Sequence, residues 1–236
     1  MRPVVVLRPQ PGATATANRV RAMGLTAVSY PLFTVEPLAW TAPDPAGLDA
    51  VMLTSANAVW HGGPALAAYH GLPIFAVGKA SARAASEHGF AQVVLAGPDA
   101  QATATAIAAA GYSQVLHLRG EDARPFDPGH LRVTGIPVYR AAPVGNAAGL
   151  AAAAPAGSVL LVHSARAGAR LDALVPLDQR ATFRVVAISP AALAAAAAGW
   201  AKARAAEVPT DAAMLALARQ MCEEAVTTWS GAGARS

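Results

Sequence analysis

An apolar run, Ala50-Val51-Met52-Leu53, stops at Thr54, Ser55 and Asn57, and an apolar pattern with helical spacing resumes at Val59 and Trp60. A buried strand hands over to a helix in this way, with a hydroxyl or amide side chain capping the first turn. The unpaired N–H groups of such a turn point past the strand's end, where they and the helix dipole favour an anion. The construction returns as Leu160-Leu161-Val162-His163-Ser164-Ala165-Arg166, with Ser164 standing 109 positions after Ser55. Other pairs keep nearly the same offset. Leu7-Arg8 and Leu118-Arg119 lie 111 apart, as do Gly24 and Gly135 and the prolines Pro98 and Pro209; Tyr30 and Tyr139 lie 109 apart, and Gly89 and Gly199 lie 110 apart. Each match is weak alone, but the ordered set marks a duplicated chain. A repeat of this length predicts two similar α/β domains with a cleft between them. The halves of the repeat need not be the domains, because linker-like stretches fall inside them, near residues 34–37 and 137–143.

The rest of the chain reads as alternating short strands and helices, the pattern of βαβ units and parallel sheets. Strands are predicted at 3–7, 27–32, 50–53, 73–77, 92–95, 114–118, 136–141, 158–163 and 184–188, with a weak one near 203–208. Helices are predicted at 14–23, 57–70, 80–88, 100–110, 166–175, 191–200 and 211–224. An irregular helix is expected between 122 and 135, and the alanine-rich stretch 147–157 is a further candidate. Residues 39–47, with Pro43 and Pro45, carry the first strong linker signal, and the tail 230–236 is expected to fray.

Composition narrows the function classes. The chain has 236 residues, 54% of them hydrophobic and 14% charged, and its net charge of +4 comes almost wholly from arginine, since Lys79 and Lys202 are its only lysines. With no basic run and few aromatics, a nucleic-acid surface is not expected. Arginines suit a small substrate bearing carboxylates or phosphates, although arginine- and alanine-rich coding accounts for the composition equally well. The apolar runs are short and alanine-rich, so no membrane span is expected. The N-terminus meets a second charge and a proline too soon for a signal peptide. Cys222 stands alone and is read as a small apolar residue, which fits a reducing, cytoplasmic location. The histidines lack ligand spacing, so no metal site is expected. Residues 78–81 look like the end of a phosphate loop, but Pro73 stands where its first glycine would be. A flavin-binding loop after the first strand is disfavoured by Pro9 and Pro11, which lack N–H donors.

Taken together, certain stretches resemble the uroporphyrinogen-III synthase family. They are Leu7-Arg8-Pro9, Leu53-Thr54-Ser55-Ala56-Asn57-Ala58-Val59, the segment from Phe75 through Gly78-Lys79 to Ala82, and Leu118-Arg119-Gly120-Glu121. They continue with Val138-Tyr139-Arg140, Val162-His163-Ser164-Ala165-Arg166, Ala187-Ile188-Ser189-Pro190 and Ala206-Glu207-Val208-Pro209-Thr210. The resemblance spans the chain to about residue 218, and the ordered set carries it rather than any one motif. It implies two similar three-layer α/β domains with parallel sheets, residues 1–34 plus 141–236 and residues 38–137. Two extended linkers, near 34–38 and 137–141, would join them, the chain returning to the first domain, with the active site in the interdomain cleft.

The same resemblance implies a lyase that cyclises hydroxymethylbilane with inversion of ring D and loss of water. It implies neither metal nor organic cofactor. The expected partner is a linear tetrapyrrole carrying acetates and propionates, handed over by hydroxymethylbilane synthase to a monomeric enzyme. Tyr139 matches the family's catalytic candidate and would assist departure of the substrate hydroxyl; packing at a domain junction is its structural alternative. The helix starts at Thr54, Ser55 and Ala56, at Gly78, Lys79 and Ser81, at Ser164 and Ala165, and at Ser189 would offer N–H donors to the carboxylates. For each serine a plain N-cap, worth about 1 kcal/mol, is the competing role. Arg8 and Arg119 would meet carboxylates or form loop salt bridges, Lys79 would be a carboxylate partner, and His163 is read as structural. Where the family often carries a threonine after the penultimate strand, this chain has Ser189-Pro190-Ala191-Ala192. A non-catalytic, duplicated α/β ligand-binding or regulatory module is the alternative.

Overall fold

The computed structural model describes residues 2–224. Its first part runs β1 (Val4–Val6), α1 (Gly12–Ala22), β2 (Ala27–Ser29), β3 (Phe33–Pro37), β4 (Ala50–Leu53), α2 (Ala56–His61), β5 (Ile74–Val77), α3 (Gly78–Glu87), β6 (Val93–Gly97) and α4 (Ala100–Ala109). The second part runs β7 (Gln114–Gly120), β8 (Arg132–Pro143), α5 (Ala147–Ala153), β9 (Val159–Val162), α6 (Ala165–Leu174), α7 (Leu177–Arg180), β10 (Arg184–Ala187), α8 (Pro190–Ala195), β11 (Lys202–Ala205) and α9 (Asp211–Glu223). The chain divides into two compact units, one holding residues up to Thr34 and from Pro143 onward, the other Val35–Ala142. It passes from the first unit to the second within β3 and returns within β8.

The first unit contains a five-stranded sheet in the order β11-β10-β9-β1-β2, with every pairing parallel. Its inner strands β1 and β9 are short, apolar and fully buried, as expected of a parallel sheet covered on both faces, while the edge strands β2 and β11 are partly exposed. Val4, Val6, Val159, Leu161 and Val186 form one face and pack against Ala13, Ala17 and Val20 of α1 and Met214, Leu215 and Ala218 of α9. The intervening residues Val5, Leu160 and Val185 are equally buried and turn to the opposite face by the strand's two-residue alternation, where α5, α6 and α8 lie.

The second unit contains a six-stranded sheet in the order β3-β8-β7-β4-β5-β6. Strands β8-β7-β4-β5-β6 pair in parallel. Val51, Leu53, Ile74, Ala76, Leu116 and Leu118 face α2, α3 and the 3-10 turn Pro64–Tyr69. Ala50, Met52, Phe75 and Val115 face Ala104 and Ile107 of α4. Both units are therefore three-layer α/β structures with parallel sheets.

Several predicted elements differ from those observed. The helix predicted over 57–70 stops at His61, because Gly63 adopts a left-handed φ of +71° and Pro64 then opens a 3-10 turn. Close packing requires the preceding glycine too: a Cβ on Gly62 would lie 2.6 Å from the Ala58 carbonyl oxygen. No helix occupies 122–135; Pro125 and Pro128 interrupt the segment, and β8 begins four residues before the predicted strand. Residues 39–47 are not a free linker but part of the second unit. There Trp40 donates from Nε1 to the Gly62 carbonyl at 2.8 Å and stacks on Tyr69. The helix predicted over 191–200 ends at Ala195, followed by Ala197 at φ +55° and Gly199 at φ +100°. The short α7 had no sequence signal, since its four residues cannot display a periodicity. The predicted frayed tail, 230–236, lies outside the described residues.

Candidate functional site

In the second unit, β4 delivers Thr54 and Ser55 to the sheet's carboxyl edge. Ser55 is extended (φ −157°, ψ 144°) and its hydroxyl accepts from the Asn57 N–H at 3.2 Å, so it is the N-cap of α2, whose first residue is the buried Ala56. Thr54 Oγ1 is engaged elsewhere, 3.1 Å from Nε2 of His117 on β7. Burial, with Arg119 nearby, pushes the pKa of His117 down to about 4, so the imidazole is neutral at physiological pH.

The next turn differs from the expected capped start. Val77, not a hydroxyl residue, occupies the N-cap position of α3 and makes no side-chain cap. Gly78 enters the helix with φ +71°, Lys79 is exposed, and Ser81 is buried within the first turn. The N–H groups at the start of this ten-residue helix are thus left without a side-chain cap.

Arg119 is the penultimate residue of β7, on the sheet face that also bears His117. Its Nη1 donates to the carbonyls of Gly120 (3.0 Å) and Glu121 (3.1 Å). With Arg124, His117, Phe126 and Gly135 it lines a cavity of about 450 Å³ beneath the irregular segment after β7. Tyr139 on β8 sits opposite Gly120, and the Glu121 N–H donates to the Tyr139 carbonyl at 2.9 Å. The ring of His61 lies 6.3 Å from the Tyr139 ring, centroid to centroid. Burial holds the pKa of His61 below the usual histidine value.

In the first unit, Ser164 follows β9 and caps α6, accepting from the Ala167 N–H at 3.1 Å, while Ser164 and Ala165 stay exposed. Ser189 follows β10 and accepts from the Ala192 N–H at 3.3 Å. Its hydroxyl is therefore the N-cap of α8, a helix of six residues like α2.

Arg8, after β1, enters a cluster that the sequence did not announce. Asp211, the first residue of α9, accepts from Thr16 Oγ1 (3.0 Å) and Arg19 Nη1 (2.6 Å), is 3.0 Å from His163 Nε2, and has Arg8 Nη1 at 3.9 Å. Burial opposes the Asp211 carboxylate, but its bonds to His163, Arg19 and Thr16 hold its pKa below the usual carboxylate value. Burial pushes the pKa of His163 below the usual histidine value despite the opposing pull of Asp211. Five side chains from four segments meet here, with Thr16 and Asp211 lying 195 positions apart and Arg8 farther still, a grouping that local patterning cannot reveal. His61 and Gly120 beside Tyr139 were missed for the same reason, although a glycine inside a strand is itself a signal of close approach.

Among the described residues no group of three or more His, Cys, Asp or Glu side chains could hold a metal ion. No helix there is long and apolar enough to cross a membrane.

Solved structures share this architecture. The uroporphyrinogen-III synthetase of Helicobacter pylori superposes with a TM-score of 0.69 at 17% identity, covering 94% of this chain and 100% of that one. A mutant uroporphyrinogen III synthase of Thermus thermophilus gives 0.50 at 15% identity, with 94% and 99% covered. At such identities the likeness establishes the fold. No curated protein sequence matches the chain. The family described as Uroporphyrinogen-III synthase HemD matches residues 14–216, and with that span covering most of its length the chain belongs to the uroporphyrinogen-III synthase family.

Proposed function

We propose that this protein is a uroporphyrinogen-III synthase, a cyclising hydro-lyase of tetrapyrrole biosynthesis. The observation that carries the reading is the family match across residues 14–216. Retention of Tyr139, Ser55 and Ser164 favours an active enzyme over a duplicated module that kept only the fold.

The substrate, hydroxymethylbilane, is a flexible linear tetrapyrrole bearing acetate and propionate groups, so recognition is chiefly anion binding and pre-orientation. The N–H groups opening α3 and α6 and those of Ala56 and Ala165 supply donors, with Lys79, Arg8 and Arg119 adding positive charge. Capping and binding are compatible, because the serine hydroxyls accept from N–H groups deeper in the turn while the remaining N–H groups serve the anion.

Tyr139 donates a hydrogen bond or proton to the departing hydroxyl, which leaves as water when its C–O bond breaks. The remaining azafulvene is stabilised by the pyrrole nitrogen. Ring D attacks it through its substituted carbon, the spiro intermediate fragments, and reclosure inverts ring D before the final proton is lost. A phenol is a weak acid at neutral pH, so its contribution is modest. Within this reading the enzyme needs no cofactor, works as a cytoplasmic monomer, and receives its substrate from hydroxymethylbilane synthase.

The test couples purified hydroxymethylbilane synthase to this protein, oxidises the products and separates the uroporphyrin isomers. Dominance of isomer III over the spontaneous isomer I is expected. Isomer I alone, from folded protein, refutes the enzyme reading and leaves a binding module.

A further inference from the structure

The seat of Tyr139 is built by residues that carry no chemistry of their own. The parallel register between β7 and β8 shifts between Arg119 and Gly120, which brings Gly120 opposite Tyr139. Such an irregularity re-aims the side chain beside it. Gly120 is buried, and its backbone lies directly against the phenol. A Cβ placed there would be 2.9 Å from both Cζ and Oη of Tyr139 and 3.0 Å from Cε2.

The backbone at Gly120 does not itself demand glycine, because this residue is absent from the positive-φ glycines. What demands glycine is the tyrosine. The main chain of Tyr139 is also tied, through its carbonyl, to the Glu121 N–H at 2.9 Å. A second neighbour, His61, closes α2 and places its imidazole 6.3 Å from the phenol ring at an interplanar angle of 39°. The helix that Ser55 starts therefore ends against Tyr139.

We infer that Gly120 and His61 are positioning residues for Tyr139: the absent side chain of one and the ring of the other set where the phenol oxygen lies. The inference rests on the reading of Tyr139 as the group that assists hydroxyl departure. On this reading neither residue acts on the reacting atoms directly. Their effect on the reaction passes through the phenol, so it must vanish when the phenol oxygen is removed.

The experiment measures kcat and KM for isomer III formation in Gly120→Ala, Tyr139→Phe and the double variant. Displacing the phenol by a fraction of an ångström to an ångström is expected to lower kcat of Gly120→Ala by about threefold to tenfold, and by no more than Tyr139→Phe itself does, with KM within about twofold of the parent. In the Tyr139→Phe background the same alanine is expected to cost little or nothing further. Equal losses in both backgrounds, or an unchanged kcat in Gly120→Ala while Tyr139→Phe is impaired, overturn the positioning role and leave the reading of Tyr139 standing. A Tyr139→Phe enzyme with full kcat overturns that reading itself, and the inference with it. His61 supplies an independent arm should Gly120→Ala fold poorly. His61→Ala is expected to lower kcat only when Tyr139 is present, and His61→Phe, which restores a ring, to recover most of it. Equal kcat in the two His61 variants refutes the role of the ring.

Discussion

His117 shows how a single buried side chain writes a pH dependence into the protein. Its ring is edge-on to Phe126 at 5.6 Å and bonded to Thr54 Oγ1, and burial lowers its pKa from 6.5 to about 4. The unfolded chain therefore binds this proton more readily, and stability present above pH 6.5 is lost as pH falls toward the folded value. The window between the two values corresponds to about 3 kcal/mol in total and roughly 2 kcal/mol by pH 5. His163, lowered in the same direction, adds to the loss with the same sign. Urea unfolding at pH 7.5 and pH 5 is expected to show a clear fall in the midpoint, and a smaller fall in His117→Gln. The same pH slope in both proteins would refute the assignment. At this scale, Tyr139, Arg8 and the serines were legible as residue types at strand ends. Their partners were not. Asp211 reads in sequence as an ordinary first-turn acid of a helix, and only the fold brings it within 3.0 Å of His163 and Thr16.

Secondary-structure elements separate capping from ligand binding. Ser164 caps α6 through its hydroxyl, which accepts from the Ala167 N–H at 3.1 Å, whereas α3 opens with no side-chain cap at all. If the hydroxyl serves only the fold, Ser164→Ala is expected to lower stability by about 1 kcal/mol, and Ser164→Gly by only a few tenths. Isomer III formation should stay near the parent level in both, since the donors to substrate are backbone N–H groups. Denaturant midpoints and coupled assays check the two halves separately, and a large loss of activity in a stably folded Ser164→Ala shows the hydroxyl itself meets substrate. The elements most readable in sequence were the buried strands, such as Ala50–Leu53, because short apolar runs ended by capping residues admit few other structures. The least readable was 123–133, the counterpart of α1 in the second repeat, which lost its helix to Pro125 and Pro128.

At the scale of the whole molecule, the two sheets share one plan. The order β2-β1-β9-β10-β11 in the first unit corresponds strand for strand to β8-β7-β4-β5-β6 in the second. Each sheet thus takes its first two strands from one repeat and its next three from the other. A fragment ending near residue 111 holds one repeat but no complete sheet, and it strands the apolar faces of β1 and β4 without their neighbours β9 and β7. A fragment of residues 35–142 keeps five strands of one sheet in parallel register. Circular dichroism with urea titration is expected to show cooperative unfolding for 35–142 and none for 1–111; cooperative folding of 1–111 alone contradicts this plan.

The sequence by itself determined the duplication, the α/β class, the parallel strands and the capped turns at their ends. These follow from apolar periodicity, capping chemistry and the steric rules of glycine and proline, all of which act within a few residues. Linker-like stretches inside the repeats, with the family resemblance, pointed to the exchange of strands between them, but the sequence did not determine that Trp40 packs on Tyr69 and bonds Gly62, or that Gly120, His61 and Tyr139 come together. Those outcomes depend on which strands pair and in what register, and pairing energy comes from burying faces contributed by segments far apart in the chain, such as Val4 with Val159 and Ala50 with Val115, which no local pattern records.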